Sequence, residues 1–144
     1  MNPRAIDYIT EDFYESISFQ DGELPDLETV RELFHGGGQL INNSFGRPVI
    51  YSIDTFTEMI EAQIAGGEMK QFMQRELYSK TDVFGKVAQR VSVYEYSLAD
   101  HKMEHLPRGI NYIQYVLIDD NWRIAAMAWA DENENHQIPQ EYLE

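Results

Sequence analysis

The sequence predicts an α+β domain, with helices first and an antiparallel sheet after them. Three observations carry this. In the first half, apolar residues recur at three- and four-residue steps, as on one face of a helix. In the second half they alternate at period two between short turn sequences, in runs rich in Val, Ile, Tyr and Trp. The length of 144 residues fits one domain able to bury a core without disulfides, and the chain has no cysteine.

The elements follow in order. Ile6, Ile9, Phe13 and Ile17 predict a first helix over Pro3 to Gln20, stopped by Asp21-Gly22. A second starts at Asp26, a capping residue, buries Leu27, Val30, Leu33 and Phe34, and ends at Gly36-Gly37-Gly38. Short extended pieces at Gln39–Asn42 and Pro48–Ser52 flank a turn. The third helix runs from about Asp54 to Ala65, with Thr55 and Glu58 as a capping box or Asp54 as the cap, and ends at Gly66-Gly67. Met69–Thr81 and Lys86–Leu98 then form a hairpin across Asp82–Gly85. Gly109–Ile118 and Trp122–Ala130 form another across Asp119-Asp120-Asn121. Residues 1–132 read as one domain. The polar, acidic stretch 133–144, broken by Pro139, reads as a solvated or loosely packed tail.

Twenty-five acidic side chains against 11 basic ones give a formal net charge of −14. This excludes nucleic acid and anionic membrane surfaces as partners, since both need clustered Lys and Arg. The acids crowd the two ends, whereas the sheet keeps Arg75, Arg90, Arg108 and Arg123, the source of positive charge if an anionic group binds. No stretch is long and apolar enough to span a membrane, and Met1-Asn2-Pro3-Arg4 lacks the apolar run of a secretory signal, so a cytoplasmic protein is expected.

Several segments carry a resemblance: Leu33-Phe34-His35, Ser52-Ile53-Asp54-Thr55-Phe56, Val83–Gln89, Ser92-Val93-Tyr94-Glu95, Arg108-Gly109-Ile110-Asn111, and Trp122-Arg123-Ile124 closing on Trp129. Over nearly its whole length the chain resembles an uncharacterised bacterial subgroup of the nuclear transport factor 2-like superfamily, also called SnoaL-like or ketosteroid isomerase-like. The resemblance implies a cone. A strongly curved, mixed but mainly antiparallel sheet wraps three helices and leaves a cavity at its wide end. It also implies a homodimer through the outer sheet face. It implies no single activity, because members include isomerases, dehydratases, cyclases, hydrolases and binding domains.

Each candidate site residue also has a plainer structural role. In the strand Lys86–Leu98, Ala88, Arg90, Ser92, Tyr94 and Tyr96 share a face; small residues and rigid tyrosine tips favour that face as the inward one. Arg90, Ser92, Tyr94 and Asn111 could form a polar cluster with Trp129 as an apolar wall. An inward Arg90 would suit a carboxylate ligand, but an ion pair with Glu76 on the neighbouring strand is equally weighted. Tyr14 could reach the cavity or simply pack in the core. Gly109 marks a bulge or a close approach. His35 is the one catalytic candidate, as a general base beside the glycine run, set against a role at the helix end. The ketosteroid isomerase trio of Asp, Tyr and protonated Asp cannot be placed on the sequence, nor can a scytalone dehydratase pattern. Asp100–His105 has metal-ligand residue types without a third ligand, and the glycine run ends a helix instead of opening one, the wrong polarity for phosphate. No metal and no cofactor is expected. The favoured function is binding of a small apolar or mildly polar molecule in the cone cavity. The alternatives are a cofactor-free acid–base isomerase, dehydratase or cyclase, and an interaction domain without a ligand.

Overall fold

The chain runs through α1 (Arg4–Ile17), α2 (Leu27–Leu33), β1 (Phe34–Asn42), β2 (Val49–Ser52), α3 (Ile53–Ala65), β3 (Met73–Phe84), β4 (Val87–Ser97), β5 (Arg108–Ile118) and β6 (Asn121–Asp131). A short 3-10 turn follows at Gln140–Tyr142. The computed structural model describes residues 4–98 and 106–143. The Asp100–His105 segment lies outside the described residues.

Local chemistry sets most boundaries. Asp26 caps α2 by accepting from the Thr29 amide at 3.1 Å and the Thr29 hydroxyl at 2.6 Å. The cap of α3 is Ser52, not Asp54 or the expected Thr55–Glu58 box. Ser52 accepts from the Thr55 amide, and the Thr55 hydroxyl accepts from the Ser52 amide in return. Helix α1 stops at Ile17, three residues short of the expected end. There Ser18 turns its hydroxyl to the Tyr14 carbonyl at 2.6 Å, and Phe19 pairs with Phe72.

The glycine run does not end α2. Phe34 is already extended, at φ −99° and ψ 149°, and Gly36–Gly38 lie within β1. They sit where the β1–β6 register shifts between Phe34 and Gln39. A Cβ on Gly38 would meet the Phe34 ring at 2.8 Å and the His35 carbonyl at 3.1 Å, so this bulge requires glycine. The second hairpin turns at Asp119 and Asp120, with φ of 48° and 65°. Two successive positive values mark the tight hairpin turn whose twist matches the flanking strands.

The six strands order as β2-β1-β6-β5-β4-β3. All neighbours are antiparallel except β1 and β6, which run parallel. Register shifts at Glu76/Tyr78 and Gln114/Tyr115 add to the one in β1, and such bulges bend strands around the helices. Ile6, Val30, Leu40 and Ile124 are fully buried in the core between the helices and the sheet. Each contributes roughly 1.5–3 kcal/mol of burial. Period two sends Ala88, Arg90, Ser92 and Tyr94 of β4 inward, all 7% exposed or less, while Val87 and Gln89 face out. The inward face is thus the one expected from the sequence.

The C-terminal stretch is placed against the sheet. The Ile138 amide donates to Glu132 at 2.8 Å, Ile138 is buried, and the Tyr142 ring stacks on Tyr78 of β3 at 4.9 Å. Among the described residues no helix is long and apolar enough to cross a membrane.

Candidate functional site

Where the helices leave the sheet's inner face uncovered, a cavity of about 400 Å³ opens. Phe13 and Ile17 from α1, Phe56 and Met59 from α3, and Met127 and Trp129 from β6 give it apolar walls. Eight aromatic rings line it in all. Phe56 meets Trp129 edge-on at 6.3 Å and Tyr51 at 5.7 Å, so the wall is rigid and interlocked.

One end of the cavity is polar. Asp131 is the last residue of β6 and continues the inward phase of Met127 and Trp129. Tyr94 donates to one of its carboxylate oxygens at 2.7 Å and Tyr96 to the other at 2.8 Å. Its backbone amide donates to the Ser44 hydroxyl at 3.0 Å, which ties the loop after β1 to the end of β6. Burial pushes both tyrosines well above the ordinary phenol range, and the hydrogen bond to Asp131 pushes them further. Both hydroxyls therefore keep their protons and hold them on the carboxylate. Gly109 makes the arrangement possible. A Cβ there would collide with the Tyr94 hydroxyl and sit 2.5 Å from the Ala130 carbonyl. Asn111 lines the cavity beside this end; its amide nitrogen reaches the Met127 sulfur at 3.5 Å, and its buried Oδ1 has no hydrogen-bond partner among the described residues.

A second polar cluster lies outside that lining, against α1. Arg90 is 4% exposed. It donates to both Glu76 oxygens, at 3.1 and 2.5 Å, to Asp7 at 2.6 Å and to Thr81 at 3.0 Å. Ser92 donates to Glu76 at 2.5 Å and shares a 2.7 Å bond with the Tyr14 hydroxyl. Burial opposes the guanidinium charge, but the bonds to Glu76 and Asp7 outweigh it and fix the proton more firmly. Burial pushes the Tyr14 phenol up to about 12. Tyr115, buried likewise and bonded to Thr10 at 2.6 Å, is also raised.

No protein family and no curated protein matches the chain by sequence. Solved structures do match in three dimensions. An NTF2-like protein of unknown function from Silicibacter pomeroyi is 19% identical, with a TM-score of 0.61 over 89% of this chain and 93% of that one. An NTF2-like protein of unknown function from Pseudomonas putida is 10% identical, with a TM-score of 0.69 over 93% and 90%. A protein of unknown function with a cystatin-like fold from Nostoc punctiforme is 13% identical, with a TM-score of 0.69 over 90% of each. This chain has the nuclear transport factor 2-like fold.

Within this fold the sequence-predicted residues part into two groups. Tyr94, Asn111 and Trp129 line the cavity. Tyr14, Arg90 and Ser92 join the cluster behind it, where Arg90 makes the Glu76 ion pair that the sequence offered as its plainer role. His35 lines no part of the cavity; it is the second residue of β1, half-buried, with its Nδ1 accepting from the Gly37 amide at 3.0 Å. Sequence reasoning missed Asp131 and gave Tyr96 no role. Both were within reach: Tyr96 continues the Ala88–Tyr94 phase, and extending β6 by one residue puts Asp131 in phase with Met127 and Trp129. Among the described residues no group of three or more His, Asp or Glu could hold a metal ion.

Proposed function

We propose that this protein binds a small apolar or mildly polar molecule in its cone cavity. The observation that carries the reading is an aromatic-walled cavity of about 400 Å³ with one fixed polar end. That size and lining suit a small organic ligand, which specific pockets hold by apolar contact and orient by a few polar groups. The test is titration with a neutral environment-sensitive dye such as Nile red, beside a Met59→Trp variant that fills the cavity from α3. Saturable binding lost in the variant supports the reading. Equal dye binding by both proteins, or none by either, overturns it.

The same cavity could serve acid–base chemistry, and an enclosed carboxylate favours that second reading. Two features weigh against it. Both Asp131 oxygens already accept hydrogen bonds, and both nearby phenol protons are committed to Asp131, not free to stabilise a developing oxyanion. The outer sheet face supports assembly as a homodimer: Val87 and Tyr112 stand more than half exposed on it. Light scattering on the eluting protein checks this, and a monomer at micromolar concentration overturns it.

A further inference from the structure

The hydrogen-bond inventory of the polar end says what kind of group it can receive. Tyr94 and Tyr96 each have one hydroxyl proton, and both protons point at Asp131. The two phenol oxygens and the carboxylate lone pairs still open to the cavity can only accept. Acceptors thus dominate around the carboxylate, beside the Ser44 hydroxyl and the Asn111 amide, and a ligand group that meets Asp131 and the two phenol oxygens must donate.

Charge narrows the class further. Asp131 is the one charged side chain in the cavity lining, which contains no Lys, Arg or His among the described residues. Nor does Asp131 belong to an ion pair among them. Arg75 is held by Glu95, Arg90 by Glu76 and Asp7, and Arg108 by Glu132. A half-buried carboxylate facing an apolar cavity without a counter-charge is unfavourable, and a bound cation relieves that cost. The walls suit a cation too, because Trp129, Tyr94 and Tyr96 flank the same end and aromatic faces attract positive charge.

We infer that the cavity takes a protonated amine carried on an apolar body, its ammonium seated on Asp131 and the oxygens of Tyr94 and Tyr96. The inference rests on the cavity-binding reading and adds the chemical class of the ligand. An ammonium supplies three donors and one positive charge, which matches the acceptor cluster in both respects. A carboxylate or phosphate of the same size brings only acceptors and a like charge.

The experiment compares three probes of one shape by calorimetry on the unmodified protein: 2-phenylethylamine, 2-phenylethanol and 3-phenylpropionate. The amine is expected to bind at least about tenfold tighter than the alcohol, in line with a charge-assisted hydrogen bond, and the acid weakest of all. Asp131→Asn should bring amine and alcohol within about twofold of each other. Circular dichroism of the variant shows that it folds, and the three-probe comparison stands without it. An alcohol or acid that binds as well as the amine overturns the inference while leaving the cavity reading intact. A preference for the amine that survives Asp131→Asn in a folded variant overturns the assignment to Asp131. Failure of all three probes together with Nile red overturns both readings.

Discussion

Arg90 offers the sharpest test of how the cone is held together. Arg90→Met keeps most of the apolar volume of the stem and removes the guanidinium. Glu76, whose side chain is 19% exposed, then keeps only the Ser92 hydroxyl, while Asp7 at 54% returns to water without much cost. Breaking a buried pair typically costs about 3–5 kcal/mol, and the residual access of water to Glu76 places this case at the lower end, about 3 kcal/mol. Glu76→Leu leaves the more deeply buried Arg90 still bonded to Asp7 and Thr81, so about 2 kcal/mol is expected. The double variant removes both charges and should cost only about 2 kcal/mol, a coupling of about 3 kcal/mol. Urea unfolding of all four proteins at constant m measures this directly. Because Arg90 does not line the cavity, Nile red affinity of Arg90→Met should stay within about twofold of the parent. A single-variant cost below about 1 kcal/mol, or a double variant near the sum of the singles, would refute the view that the pair acts as one unit.

Two further outcomes follow from the same geometry. Gly109→Ala should destabilise by about 1–3 kcal/mol or more, since its Cβ meets the Ala130 carbonyl, a backbone atom, at 2.5 Å and displaces the Tyr94 hydroxyl from Asp131; chemical denaturation and probe binding should both register the change, and a variant as stable as the parent sinks the close-approach account. Alkali should unfold the protein through its buried phenols. The Tyr14 phenol rises from 10.0 to about 12 on folding, so the folded state holds its proton more tightly, and the stability it contributes is complete below about pH 10 and lost as pH rises towards 12. Two units correspond to about 3 kcal/mol for Tyr14 alone, with Tyr94, Tyr96 and Tyr115 acting in the same direction. Tm measured between pH 9 and 12 should fall steeply together with the rise in tyrosinate absorbance, and a flat profile refutes it.

The sequence made the order of elements plain because each was announced by its own chemistry: Asp26 before α2, Gly66-Gly67 after α3, period two through β4. It misled where one residue type has two uses. Glycines after a helical stretch read as a stop, yet Gly36–Gly38 serve a bulge inside β1, and only the pairing of β1 with β6 distinguishes the two. The inward face of β4 was legible from side-chain size. How far each inward residue lies from the cavity was not, because that depends on what the helices cover: Arg90 and Ser92 bond to Asp7 and Tyr14 of α1, whereas Tyr94 and Tyr96 line the cavity. The hydroxyl of Tyr14, one residue from the Phe13 that lines the cavity, reaches Ser92 instead.

The acidic balance of the chain takes on a local meaning inside the cone. An excess of carboxylates means that a sheet arginine meets an acid before it meets a ligand: Arg90 does so while buried, and the more exposed Arg75 and Arg108 are paired as well. Arg123, the fourth sheet arginine, turns to the Trp122 carbonyl at 3.1 Å. The sequence had offered these four as the positive charge for an anionic ligand; for Arg75, Arg90 and Arg108 that role would break ion pairs of this chain's own, and none of the four lines the cavity. Asp131 is in the opposite position. In a chain with 25 acids and 11 bases some carboxylates must lack a cation, and most can face water. Asp131 cannot do so fully, because β6 delivers it to the inner face in phase with Met127 and Trp129. Two tyrosine protons stabilise it there without neutralising it. On the proposed ligand-binding reading, that residual negative charge is what selects for a cation at this site.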